Sequence, residues 1–266
     1  MIPEPFSFRI DSFVRGLDFA YPNSVKIGGL ASGVTRPGQD SLFLAGGIYD
    51  NGLIGVAISG NVVVESIVAQ GCKPVGPSFR ITRCKKNLLY ELDGEPAVMI
   101  LKKVIDGLSG SQRDLIKDSV FLGVVMDETK SAHQSGDFLI RNILGIEPVS
   151  GALVVGELLV EQRTVRFHVR DAASSADDLR LLLKQYKDEA LCAGEKQAAG
   201  ALLFSCLGRG EQLYGRKNHD SDCLRNFLGS VPIGGFFCNG EIGPVGNTTF
   251  LHGYTSSFGI FREKII

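Results

Sequence analysis

Thirty-three glycines among 266 residues are the feature that most constrains what this chain can fold into. Glycine adopts positive φ freely and weakens the interior of helices and strands, so this density cuts the chain into short elements joined by tight turns. Residues 25–30, 41–45, 53–59 and 61–69 are apolar or β-branched runs separated by Gly, Asn and Asp. Asp50-Asn51-Gly52 and Gly60-Asn61 carry the chemistry of turns that need positive φ. A bend at 71–77, punctuated by Gly and Pro, leads into a further strand at 78–83.

The pattern changes after Asp93-Gly94-Glu95-Pro96. Ala97, Ile100, Leu101, Val104, Ile105 and Leu108 recur at helical spacing, which predicts a buried helix over 96–107. Strands are expected at 120–126, 138–146, 153–160 and 164–169. Ser174 and Ser175, each with an Asp three residues later, form a double capping-box pattern. The helix it opens carries Leu179, Leu182, Leu183, Tyr186 and Ala190 on one face. Short buried strands at 201–207 and 231–237 flank a helix at 220–228. Many strands and few helices, without strict βαβ alternation, predict an α+β fold with mainly antiparallel sheets. The composition shift near residue 92 divides the chain into a part at 1–92 and a part at 93–266.

Twenty-eight basic residues balance 29 acidic ones without long like-charge clusters, which argues against a nucleic-acid surface. The richest apolar stretch, 152–160, is interrupted by Glu157 and is far shorter than the about 20 residues that cross a bilayer. The amino terminus lacks a secretory pattern, and six scattered cysteines contain no CxxC pair, so free thiols in an intracellular, cytoplasmic protein are expected. An organelle remains open if an amino-terminal segment is missing. No P-loop, GxGxxG, HExxH or GxSxG is present, and the sequence calls for no cofactor and no metal.

Four constellations remain as candidate binding chemistry. The run 234–246, GGFFCNGEIGPVG, takes an apolar strand into a glycine-rich loop where amides can approach a ligand and Glu241 can meet an amine. The alternative is a tight turn whose Glu241 caps amides. Ser205-Cys206-Leu207-Gly208-Arg209-Gly210 ends a strand in a loop that would present Arg209, with little steric cover, to a carboxylate or phosphate, or simply to solvent. Alternation over 164–171 puts Arg166, His168 and Arg170 on one strand face, either meeting an anion or solvated. Arg141, with apolar neighbours on both sides, needs an acidic partner or an anionic ligand. Cys206 or Cys238 with His252 would make a Cys–His pair, though nothing local links them.

The run 234–246 followed by 249–255 resembles the end of the C domain of the FIST family, the F-box and intracellular signal transduction proteins. GGLASG at 28–33, QGCKPVGP at 70–77, ELDGEPA at 91–97, RNI at 141–143, FHVRD at 167–171 and LGRG at 207–210 agree with that family in order. The resemblance implies a two-part sensory module that binds a small polar ligand, such as an amino acid or another carboxylate-bearing metabolite. It marks Arg141, Arg170, Asp171, Arg209, Gly210, Cys238, Asn239, Gly240, Glu241 and Gly243 as ligand-binding positions. A protein-interaction scaffold, as in substrate adaptors that carry an F-box, is the competing class, and a Cys-dependent hydrolase or transferase is a third. No F-box or output domain accompanies the module. The N domain reads as partial, beginning near Asp11, which predicts exposed strand edges.

Overall fold

The computed structural model describes residues 1–39, 41–110, 113, 115, 120–192 and 197–264. The strands in the first part of the chain are β1 (Ile2–Pro3), β2 (Gly28–Gly29), β3 (Leu42–Leu44), β4 (Gly47–Tyr49), β5 (Leu53–Ile54) and β6 (Val62–Ala69). They are followed by β7 (Cys72–Lys85), β8 (Leu88–Leu92), β9 (Glu95–Pro96), β10 (Val120–Val125), β11 (Phe138–Ile146), β12 (Leu153–Val155) and β13 (Thr164–Arg170). The last are β14 (Gly200–Cys206), β15 (Ile233–Cys238), β16 (Glu241–Val245), β17 (Thr248–His252) and β18 (Ser256–Glu263). Helices among the described residues include α1 (Ile10–Ala20), α2 (Ala97–Asp106), α3 (Ala172–Cys192), α4 (Glu211–Tyr214) and α5 (His219–Leu228). The fold is α+β, and every strand pairing described is antiparallel except β14 with β15.

The chain forms two compact units, one of Met1–Gln70 with Ala176–Ile266 and one of Gly71–Ser175. The second unit is a seven-stranded sheet in the order β12-β11-β10-β13-β7-β8-β9. A further pairing of β12 with β8 closes six of these strands into a ring. Leu153 and Val154 make that closure against Leu89 and Leu88. Asp93 (φ 50°) and Gly94 (φ 83°) turn β8 into β9, the two successive positive-φ residues of a tight hairpin. Ile100, Leu101 and Val104 of α2 join Val75, Ile81, Leu122 and Phe167 in one core.

In the first unit β15-β14-β18-β6 form a four-stranded sheet and β17-β16-β2 a three-stranded one. Leu179 and Leu183 of α3 and Leu224 of α5 pack with Ile67, Phe258 and Ile260 of the four-stranded sheet. A smaller core joins Ile10 and Val14 of α1 to Leu30 and Ile242. The β3–β4 hairpin leaves Phe43 and Ile48 exposed.

Several expected elements are shorter than the sequence suggests. The run 53–59 is a strand only at Leu53–Ile54, and 153–160 only at Leu153–Val155, with Glu157 beyond its end paired to Arg141. The capping boxes at Ser174 and Ser175 do not open α3. Asp171 does so, accepting from the Ala173 and Ser174 amides at 3.2 and 3.0 Å, so the helix begins at Ala172.

Candidate functional site

A cleft of about 460 Å³ lies in the first unit, within the range of small-ligand sites of roughly 300–1,000 Å³. Ser205 of β14, Gly210, Glu211, Lys217, Asn218 and His219 border it, together with every residue from Ile233 to Phe237 of β15.

Beneath it lies a buried charge cluster. Arg209, 2% exposed, donates from Nε and Nη2 to the two carboxylate oxygens of Asp220 at 2.8 and 3.1 Å. The Ser205 and Ser256 hydroxyls donate to Asp220 Oδ2 at 2.9 and 2.6 Å. Burial by itself would raise the Asp220 carboxyl, but its donors from His219, Arg209 and Ser256 hold it well below the usual carboxylate range. Removing one member of such a pair would leave an uncompensated buried charge.

His219 is the link between this cluster and the cleft. Its Nδ1 lies 2.9 Å from Asp220 Oδ1, and its ring stacks on Tyr214 at 3.5 Å between centroids and 12° between planes. The Arg209 guanidinium in turn sits over the Tyr214 ring, 5.5 Å from its centroid. The ring is therefore fixed in plane by Tyr214 and in rotation by Asp220, and Nε2 is the nitrogen it offers to the cleft it lines. Asn218, the residue before α5, is left-handed (φ 60°) and makes no side-chain cap, and Asn218 to Ser221 all border the cleft.

The sequence-predicted positions divide between the two units. Arg209, Gly210, Cys238, Asn239, Gly240, Glu241 and Gly243 lie in the first, and Gly210 borders the cleft. Arg209 is not a presented cation: its guanidinium is buried and engaged by the carboxylate of Asp220. Glu241 is fully buried, accepting from the Thr255 amide and hydroxyl at 3.0 and 2.7 Å and from the Cys238 thiol at 3.4 Å, so the capping alternative describes it. Burial pushes its carboxyl up to about 7 despite the Thr255 donors. Gly243 is not in a loop but in β16, where a Cβ would come within 2.6 Å of Val68 and 2.7 Å of Ser257. Close packing, rather than a ligand, requires glycine there.

Arg141, Arg170 and Asp171 lie in the second unit. Arg141 Nε meets Glu157 Oε2 at 2.6 Å, the acidic partner its burial calls for. Arg170 ends β13 opposite Cys72, and Asp171 is spent on the cap of α3. His168 is not on a solvated face; it is fully buried, with Nδ1 2.9 Å from the Arg166 carbonyl and its pKa lowered to about 4 by burial. The Cys238 thiol is pushed far up by burial and by Glu241, so it is not a thiolate at neutral pH, and His252 Nε2 is held 2.9 Å from the Gly243 carbonyl.

Lys217, His219 and Asp220 escape the sequence reading because no short motif holds them. The only signal is the acidic first turn of a helix, Asp220 and Asp222.

An uncharacterised protein of Mycobacterium tuberculosis strain H37Rv is 36% identical over 263 residues, covering 99% of this chain and 67% of that protein. One from Mycobacterium bovis is 36% identical over 265 residues, covering 100% of this chain and 67% of its own length. F-box only protein 22 of Homo sapiens is 55% identical over 42 residues, 15% of this chain and 10% of that one. The FIST N domain matches residues 1–95 and the FIST C domain residues 97–244. The chain belongs to the FIST family, named for F-box and intracellular signal transduction proteins.

Proposed function

We propose that this chain is a sensory module that binds a small carboxylate-bearing metabolite, of which an amino acid is the simplest case, in the cleft beside His219. The observation that carries this reading is the pairing of opposite charges on the cleft border. Lys217 and the open first turn of α5 suit a carboxylate, while Glu211 and the His219 Nε2 suit an ammonium group. The Arg209–Asp220 pair acts indirectly, fixing the histidine rather than touching the ligand.

A thermal-shift screen of the chain against amino acids, small organic acids and nucleotides tests it. A ligand at about 100 times its Kd stabilises by about 2.7 kcal/mol, which moves the midpoint by several degrees. Both Lys217 and Glu211 are exposed, so Lys217→Ala and Glu211→Gln leave the core intact. Loss of a selective shift in either variant is the expected result. A shift that survives both substitutions removes the cleft from the site, and no shift with any compound turns the reading toward a protein-interaction scaffold.

A further inference from the structure

We infer that Cys206 and Cys238 form a modification site, a thiol pair that hydrogen peroxide converts to a disulfide, with Glu241 accepting the proton of the second thiol. The pair stands apart from whatever the cleft binds.

The register brings the two cysteines together. They are the last residues of the parallel neighbours β14 and β15, and they are Cα partners. Partners on adjacent strands stand about 4.8 Å apart with their side chains on one face. A disulfide spans roughly 4.4–6.8 Å between Cα atoms, so the backbone already allows the bond. The Cys238 side chain also leans the right way. Its Sγ lies 3.5 Å from the Ser205 carbonyl oxygen, on the peptide that leads into Cys206. The other cysteines within ladders have no such neighbour: Cys72 stands opposite Arg170, and Cys84 opposite Leu89.

Exposure divides the roles. Cys206 is half-buried and Cys238 fully buried, so a peroxide arriving from solvent meets Cys206 first. The Cys206 thiolate attacks one peroxide oxygen. An S–O bond forms, the O–O bond breaks, and the departing hydroxide takes up the proton that the thiol gave, as water. The sulfenic acid so formed then awaits a second thiol.

Cys238 is that thiol, and burial and the nearby Glu241 keep it protonated. It needs a base, and the fold supplies one. Glu241 Oε2 accepts from the Thr255 amide and hydroxyl, while its Oε1 lies 3.4 Å from Cys238 Sγ. The threonine thus holds the carboxylate with its other oxygen on the thiol. A carboxyl with a pKa of about 7 can take that proton and return it at neutral pH. As the Cys238 sulfur attacks that of Cys206, its proton passes to Oε1. The S–S bond forms, the S–O bond breaks, and the hydroxide leaves as water with that proton. Both thiols are oxidised, and one hydrogen peroxide is reduced to two waters. The new bond ties the end of β15 to β14 beside Phe237, which borders the cleft.

The test treats the full chain with hydrogen peroxide, alkylates it and maps its tryptic peptides. Cleavage after Lys196, Arg209, Arg225 and Arg262 puts Cys192, Cys206 and Cys238 on separate peptides. The expected result is a linked pair, 197–209 with 226–262, two hydrogens lighter than the sum of its parts and released by dithiothreitol. In Cys238→Ser the sulfenic acid stays on Cys206, where dimedone traps it. Glu241→Gln closes the disulfide about a hundredfold more slowly at neutral pH, with sulfenic acid formed as fast as in wild type. Further oxidation of Cys206 without a link, or a link from Cys206 to Cys192 or to a second copy, overturns the pair. So does peroxide that oxidises the exposed Cys192 and leaves both thiols unchanged. Closure of Glu241→Gln at the wild-type rate overturns the role of Glu241 as proton acceptor.

Discussion

At the scale of single residues, the loops that the sequence singles out hold charged side chains that the fold buries. The Gly-Arg-Gly loop and the Asn-Gly-Glu turn do meet in one buried cluster, where Arg209 contributes to the field at Glu241. Their roles were not legible because the partner of Arg209 lies eleven positions on, inside a helix, and that of Glu241 fourteen positions on, at Thr255. Neither separation has a sequence pattern. Glu241 carries a pH prediction. Its folded pKa of about 7 stands above the ordinary 4.5, so the folded state binds the extra proton. The stability it contributes is fully present below about pH 4.5 and is lost as pH rises through about 7. Asp178, raised to about 6 by burial, acts in the same direction, whereas Asp220, held low, acts in the opposite sense only in acid. Glu241→Gln keeps an acceptor for Thr255 without a proton to lose. Between roughly pH 5 and 8, wild type should lose on the order of 3 kcal/mol relative to that variant in urea unfolding. Parallel curves for the two proteins would mean that Glu241 ionises normally in the fold.

At the scale of elements, period and composition identify α2, α5 and most of the long strands within a residue or two, because each buries one face against its own sheet. Lost are the features set by a neighbouring strand. His168 lies on the polar side of an alternating run, yet it is buried because Gly123 of β10 lacks the atom that would exclude it. A Cβ on Gly123 would sit 2.3 Å from His168 Cε1 and 2.6 Å from its Nδ1. Gly123→Ala should therefore cost about 1–3 kcal/mol by overpacking, with φ ordinary enough that backbone strain adds little. The same substitution in a His168→Ala background should cost much less, since the space is then free. A double-mutant cycle by denaturant unfolding reads the difference, and additive effects would sink this account of the glycine. The start of α3 was missed for a related reason: three candidate caps stand within five residues, and only the fold chooses Asp171.

At the scale of the whole molecule, the FIST N and C domains meet between residues 95 and 97, close to the division at 92/93 that composition suggests, while the compact units divide at 70/71 and 175/176. The difference is physical. A division near residue 93 leaves β7 and β8 with one fragment and the strands they pair with, β13 and β12, with the other. Residues 71–175 instead contain every strand of the closed ring and the whole of its core, from Val75 to Val169. A composition scan cannot see this, because ring closure is made by Leu88 and Leu89 meeting Leu153 and Val154 more than sixty residues away. The fragment 71–175 should therefore melt cooperatively by itself, with dispersed amide resonances. The fragment 93–175, which exposes the edges of β13 and β12 that β7 and β8 cover, should not. Cooperative melting of the shorter fragment would return the folding boundary to residue 93, and failure of the longer one would mean that the ring depends on the rest of the chain for its stability.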